Sequence, residues 1–304
     1  MTDHLKVLGG DVVPSLDIDG LRERAALGLE RALGFVEQHG STLSKLRAHI
    51  MVGIEPVSQG LACLADQQTP AGSMLNVGQV FSGPIARNLL AFDPEGEIRG
   101  TLEALSVLAD WSHLYDAPCD RAVEFLYTAQ QADGGYGDAS EASVNSPERV
   151  FTTGMLAGFL GRTRSVRPET LTAAGLYMNR FWSVDYIRQN AWPSVASFTH
   201  YFTNVHDEES EAALPWCARE LERGGLVGEY SASEQLRVLF YCEAEALPGV
   251  EFNTNALLDQ LLNEQRDDGS CPASVPAEAP AEERVGPTLD GMLFILRLCR
   301  AGGQ

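Results

Sequence analysis

The chain has 304 residues, 44% of them hydrophobic, with 42 acidic against 22 basic side chains and a formal net charge of −20. That is apolar material for one large core or two ordinary ones, and the acidic surplus disfavours a nucleic-acid partner or an anionic membrane surface. No run reaches the roughly 18 apolar residues of a membrane span, and the opening MTDHLKVLGGDVVPSLDIDG lacks a basic region followed by an apolar stretch, so neither a spanning helix nor a signal peptide is expected and the cytoplasm is the expected compartment.

Residues 1–20 read as an N-terminal arm and residues 21–304 as one domain. Within the domain, strand-like alternation is sparse and helical periodicity common. In GLACLADQQTPAGSM, Leu61, Leu64, Ala65 and Gln68 share a helix face, followed by Gly72 and Met74. In CDRAVEFLYTAQQADGGYG, Asp120 is placed to cap, Val123, Leu126, Tyr127 and Gln130 share a face, and Gly134 and Tyr136 follow. In NALLDQLLNEQRDDGSC the same places hold Leu258, Leu261, Leu262, Gln265, Gly269 and Cys271. Each copy ends in Gln-x-x-x-Gly-x-bulky. The glycines follow a helix rather than open one, which fits a helix stop and not a phosphate cradle.

The unit continues past the turn. Arg87, Arg149 and Arg284 each lie fifteen residues beyond the glycine, and an apolar helix follows each: ARNLLAF, RVFTTGMLAGFL and RVGPTLDGMLFILRL. The segments LTAAGLYMNRFWSVDYIRQNAWPSVASFTHYF and LPWCARELERGGLVGEYSASEQLRVLFYC each offer two more helices. Five or six helix pairs of about 45 residues account for most of the chain. An open solenoid needs polar outer faces on its terminal repeats, whereas LDGMLFILRLC is apolar nearly all round. The expected fold is therefore all-α, a closed (α/α) toroid of five to six helix pairs.

The chemistry-bearing side chains leave alternatives open. No P-loop and no G-x-S-x-G elbow is present. In THYFTNVHDEESEAALPWC, a metal set drawn from His200, His206 and Cys217 matches no common spacing, and a loop before an Asp-capped helix with first-turn acids reads equally from the same residues. His200 sits on an apolar face, as a core histidine or a catalytic one. Glu148 and Arg149 line a cavity mouth or glue repeats together. Asp290 is a buried acid with a raised pKa or an N-cap. Trp192, Phe198, Tyr201 and Phe240 line a cavity or fill a core. The six scattered cysteines read as free thiols.

The sequence Gln-x-x-Asp-Gly-Gly-aromatic after a helix, then a loop and a Thr-x-x-x-Leu helix, resembles the repeats of the terpenoid cyclase and protein prenyltransferase superfamily over residues 60–300. The resemblance implies that Gln68, Gln130 and Gln265, with the residues after Gly72, Gly134 and Gly269, tie neighbouring outer helices together, and that chemistry happens inside the barrel. The family's D-x-D-D-T acid segment falls on SPERVFTTGML, where Glu148 meets the first acid, Val150 and Phe151 the last two, and Thr152 the threonine. The D-x-C zinc segment falls on TLDGMLFIL, with Asp290 in the Asp place and Met292 where the cysteine stands. The implied function is a cyclase-like lyase or isomerase in specialised metabolism, acting on a small hydrophobic, isoprenoid-like molecule through Asp290, His200, Glu148 and Arg149, in a cavity that includes Phe151 and Met292. The alternatives are a non-catalytic toroid that binds a hydrophobic ligand or partner protein, and a zinc-dependent prenyltransferase. No cofactor is expected, with zinc or magnesium and a homo-oligomer left open.

Overall fold

The computed structural model describes residues 18–75, 77, 93, 96–140, 143–243, 246–272 and 275–301. The arm up to residue 17, Arg87 and the run 86–92 lie outside the described residues. The rest is all-helical apart from one small hairpin. In chain order come α1 (Ile18–His39), α2 (Thr42–Met51), α3 (Val57–Asp66), α4 (Glu97–Asp110), α5 (Ala117–Ala129), α6 (Pro147–Gly161), α7 (Pro168–Met178), α8 (Val184–Asn204), α9 (Ser210–Leu226) and α10 (Ala232–Tyr241). The antiparallel strands β1 (Ala246–Leu247) and β2 (Val250–Glu251) follow, then α11 (Thr254–Glu264) and α12 (Ala281–Ala301). No described helix is long and apolar enough to cross a membrane.

Odd- and even-numbered helices differ in kind. The even ones are the more buried: Gly100 to Ala109 in α4, Arg149 to Leu160 in α6 and Ser194 to Phe202 in α8 are unbroken buried runs. The odd helices α3, α5, α7 and α11 bury one stripe each. Four even helices start on a serine whose side chain accepts a main-chain N–H three residues on: Ser41, Ser146, Ser183 and Ser231, the last completing a capping box with Glu234. Two expected caps differ. Asp120 lies inside α5, behind Asp116, and α9 starts after Glu209, while Asp207 Oδ1 accepts the Glu209 N–H at 2.9 Å. Packing runs α4 on α6, α6 on α8, α8 on α10 and α10 on α12, and α12 returns to α1 and α2.

The three Gln-Gly turns share one geometry. Each glutamine Nε2 donates to its own turn's carbonyl and to a carbonyl of another odd helix. Gln68 reaches Gly72 O (2.8 Å) and Pro118 O of α5 (2.9 Å); Gln130 reaches Gly134 O (2.9 Å) and Thr170 O of α7 (3.0 Å). Gln265 reaches Gly269 O (3.0 Å) and Gly28 O of α1 (2.8 Å), joining the last odd helix to the first. Gly72, Gly134 and Gly269 hold φ of 98°, 90° and 88°. A Cβ on any of them would overlap a carbonyl oxygen of the neighbouring helix, at Arg121, Ala173 or Arg31.

Each turn is also tied to the following even helix. The N–H groups of Met74, Tyr136 and Cys271 donate to Thr101 (3.0 Å), Thr153 (3.1 Å) and Thr288 (3.1 Å). This corrects the register of the first copy. Thr153 holds the turn, one residue beyond the Thr152 that matches the family's acid segment. In the first copy Thr101 belongs to α4, so the position of Arg149 and Arg284, four residues before the threonine, is taken by Glu97 and not Arg87. Arg149 grips Asp133 with two bonds (2.6 and 2.7 Å), Arg284 reaches Asp268 (2.5 Å), and Glu97 accepts instead from Ser73 Oγ (2.7 Å).

Helix α8 is broken at Ala191, whose φ of 51° and ψ of −139° suit glycine rather than an L residue, two positions before Pro193. Replacement of Ala191 by Gly should stabilise the protein by about 1 kcal/mol in urea unfolding; a loss of stability would contradict the strain. In the same assay Gln130→Ala and Gln265→Ala should each cost about 1–2 kcal/mol, and Gly134→Ala about 3 kcal/mol or more. Leu176→Gln at an exposed position should change stability by less than about 0.5 kcal/mol. Clasp variants indistinguishable from Leu176→Gln would overturn the role of the glutamines.

Candidate functional site

Side chains from all six even helices meet at one end of the described fold, near the helix C-termini. The last residue of α4, Asp110, faces Arg47 and Arg237, one turn or so from the ends of α2 and α10. Arg297, one turn from the end of α12, donates to Asp110 O at 2.9 Å. The last residue of α10, Tyr241, meets the ring of Phe159 from α6 at 5.8 Å and that of His200 from α8 at 5.3 Å, between centroids. Gathered helix C-termini concentrate partial negative charge. The arginines answer it: Arg297 takes the Asp110 carbonyl, and Arg162, the C-cap of α6, approaches the Tyr241 carbonyl at 3.5 Å and pairs with Glu243.

Four of these groups form an alternating chain of charges, Asp290–Arg237–Asp110–Arg47, one from each of α12, α10, α4 and α2. Arg237 Nε donates to Asp290 Oδ2 at 3.2 Å and its Nη2 to Asp290 Oδ1, while Nη1 reaches Asp110 Oδ1 at 3.1 Å. Arg47 Nη2 stands 3.8 Å from Asp110 Oδ2. Side-chain exposure is largest at Asp290 (14%) and smallest at Arg47 (1%), with 4% at Arg237 and 7% at Asp110. Burial drives the Arg47 pKa down to about 10, against the pull of Asp110 and with the push of Arg237. Arg237 also packs over the Phe294 ring and Arg297 over that of Phe240, and these two rings stack at 5.0 Å.

The candidate residues of the sequence fall in several places. Asp290 belongs to this chain of charges, but it stands ten residues into α12 instead of at its head, and its oxygens accept from Arg237, so the N-cap alternative is excluded. His200 is packed against Phe159, with Asn204 Nδ2 at 3.1 Å from Nδ1 and Nε2 buried without a hydrogen-bond partner. Burial, and secondarily the charge of Arg162, hold its pKa down to about 3, so its ring is neutral at physiological pH. Arg149 lies in the second clasp, fully buried between Asp133 and the Tyr177 ring. Glu148 is half-buried in the first turn of α6, where its charge adds to burial and Tyr177 in pushing the Tyr186 phenol up.

Of the expected cavity residues, Phe240 borders the arginine cluster. Phe151 is buried in the core around α4 and α6, Phe198 stacks on Phe202, and Met292 packs against Phe35 and Ala48 of α1 and α2. Trp192 donates to Glu234 O at 3.0 Å. Tyr201 turns its hydroxyl to Asp207 (2.7 Å) in a separate groove of about 460 Å³ between α7 and the start of α9. There Asn179, the C-cap of α7, bonds Asp207 in place of a glutamine clasp. Among the described residues no three His, Cys, Asp or Glu side chains gather to hold a metal ion; His206 is exposed in that groove, whereas His200 and Cys217 are buried.

Sequence reasoning missed Arg47, Asp110, Arg237 and Arg297. A signal was present in α4, where Arg99, Glu103, Ser106 and Asp110 repeat at i, i+4, i+7 and i+11 within a largely apolar helix. Arg99 and Glu103 pair at 3.0 Å along that stripe.

The depressed His200 pKa has a definite consequence. The unfolded chain takes up this proton near pH 6.5 and the folded one near 3, so folding stability falls as pH is lowered through that window. The contribution to the slope is up to about 1.4 kcal/mol per pH unit. His200→Phe should flatten the acid limb of a stability-against-pH curve by one proton; an unchanged slope would show that the ring is protonated in the fold. No protein-family model matches the chain, and a search of the curated proteins finds no match.

Proposed function

We propose that the twelve helices form a closed (α/α) toroid of six pairs, even helices inside and odd outside, of the kind seen in the terpenoid cyclase and protein prenyltransferase superfamily. Closure is supported by the Gln265–Gly28 bond and by the packing of α12 on α1 and α2. The interior takes a small, largely hydrophobic molecule, and Asp290 is the group that acts on it. The observation that carries this reading is the chain of charges: four groups from four even helices, both arginines buried and both carboxylates half-buried, with Asp290 the most accessible side chain. Such networks contribute little net stability for their desolvation cost, and their concentration in one place marks functional sites.

A carboxylate gripped side-on by an arginine is recognised in its ionised form. In this reading Asp290 acts as a counter-charge to a developing cation, in place of the general-acid role expected from its sequence context. The non-catalytic reading keeps one observation in its favour: His200, Arg149 and Glu148 are placed in core packing, a clasp and a helix start respectively.

Native mass spectrometry of protein isolated from its own host tests the container. A small hydrophobic molecule should accompany the folded chain and be released on denaturation. With that molecule in hand, Asp290→Asn that melts near the wild-type temperature should lower turnover at least about a hundredfold, while unchanged turnover removes Asp290 from the chemistry. Binding with no turnover in either protein selects the non-catalytic reading.

A further inference from the structure

The chain of charges ends unevenly. Arg237 uses Nε and Nη2, the two donors on one edge of the guanidinium, to grip Asp290. Arg47 has the same edge buried with no acceptor among the described residues: neither Nε nor Nη2 makes a hydrogen bond, and Asp110 Oδ2, at 3.8 Å, is also without one. A buried donor left without an acceptor costs about 1–3 kcal/mol, more when charged. The fork is planar, with two parallel N–H groups, the geometry that matches two oxygens of a carboxylate.

A second observation points the same way. Around Asp110, three guanidinium groups (Arg47, Arg237 and Arg297) face two carboxylates (Asp110 and Asp290). The neighbouring Arg99–Glu103 and Arg162–Glu243 pairs are neutral in themselves, and Arg297 forms no ion pair among the described residues. Among the described residues of this cluster one positive charge is therefore in surplus, inside a protein whose net charge is −20. One monoanion balances it.

We propose that Arg47 is the recognition residue for a carboxylate on the ligand, which makes the ligand an amphiphilic acid, a hydrocarbon body with a single carboxylate head. This rests on the reading of the interior as a container for a hydrophobic molecule. The head meets the Nε–Nη2 edge of Arg47 and is bound through that side-on fork.

The test uses three matched probes, decanoate, methyl decanoate and decan-1-ol, with the full-length wild-type protein and with Arg47→Met and Arg47→Lys, titrated calorimetrically near neutral pH. Wild type should bind decanoate about 10–100-fold more tightly than its ester or alcohol, the range of a charge-assisted hydrogen-bond pair. Arg47→Met should bring decanoate down to the affinity of the ester and leave the ester unchanged. Arg47→Lys, which keeps the charge and loses the fork, should fall between. Equal binding of acid and ester by wild type overturns the carboxylate proposal while the container stands, and needs no variant to fold. Binding of none of the three overturns the container and this proposal with it.

Discussion

One glutamine side chain, Gln265, gives its amide hydrogens to two main-chain oxygens, one in its own turn and one in the first helix of the chain. The same bond pair recurs at Gln68 and Gln130, where it fastens an odd helix to the next. Its recurrence between α11 and α1 turns a row of helix pairs into the proposed ring. The glycine four residues on belongs to the same constraint. Only a residue without Cβ lets the turn lie against the neighbouring helix, and only one tolerant of positive φ continues the chain from there. The threonine of the next even helix then receives the turn's bulky residue, so each copy fixes three elements at once.

The C-termini of the even helices gather at one end. Their dipoles make that end negative, which explains why a strongly acidic chain places Arg47, Arg162, Arg237 and Arg297 there. The Phe159–His200–Tyr241 rings fill the same end, and His200 is neutral because that packing excludes water. Asp290 lies further from the helix ends, with more accessible surface than the charges behind it. The proposed interior is thus a space with a charged floor, while acids stand in the first turns of the same helices: Glu97, Glu148, Asp185 and Glu234.

The clasp was readable from the sequence because its parts are local. A glutamine, a glycine four residues later and a bulky residue after that recur without alignment. The helical class and the final apolar helix were readable for the same reason. The charge chain was not, because residues 47, 110, 237 and 290 are brought together only by the packing of α2, α4, α10 and α12. Apolar candidates were not placed by the sequence, for a systematic reason. Phe198 and Met292 have the composition of a cavity wall, but a helix surrounded on all sides is apolar all round, and periodicity alone does not tell which face looks inward. The first repeat's register slipped for a related reason: the segment between its turn and α4 is longer than in the other two copies, so counting from Gly72 arrived at Arg87 where the contacts select Glu97.

The ring rests most directly on the distance between its first and last outer helices. Spin labels at Leu27 of α1 and Gln260 of α11, both exposed, would report it by double electron–electron resonance. Adjacent helices 8–10 Å apart predict a single distance of roughly 15–25 Å once label linkers are included. An open row of six pairs would place the two helices on the order of 45 Å apart, and a distribution centred there would contradict closure and the interior site with it.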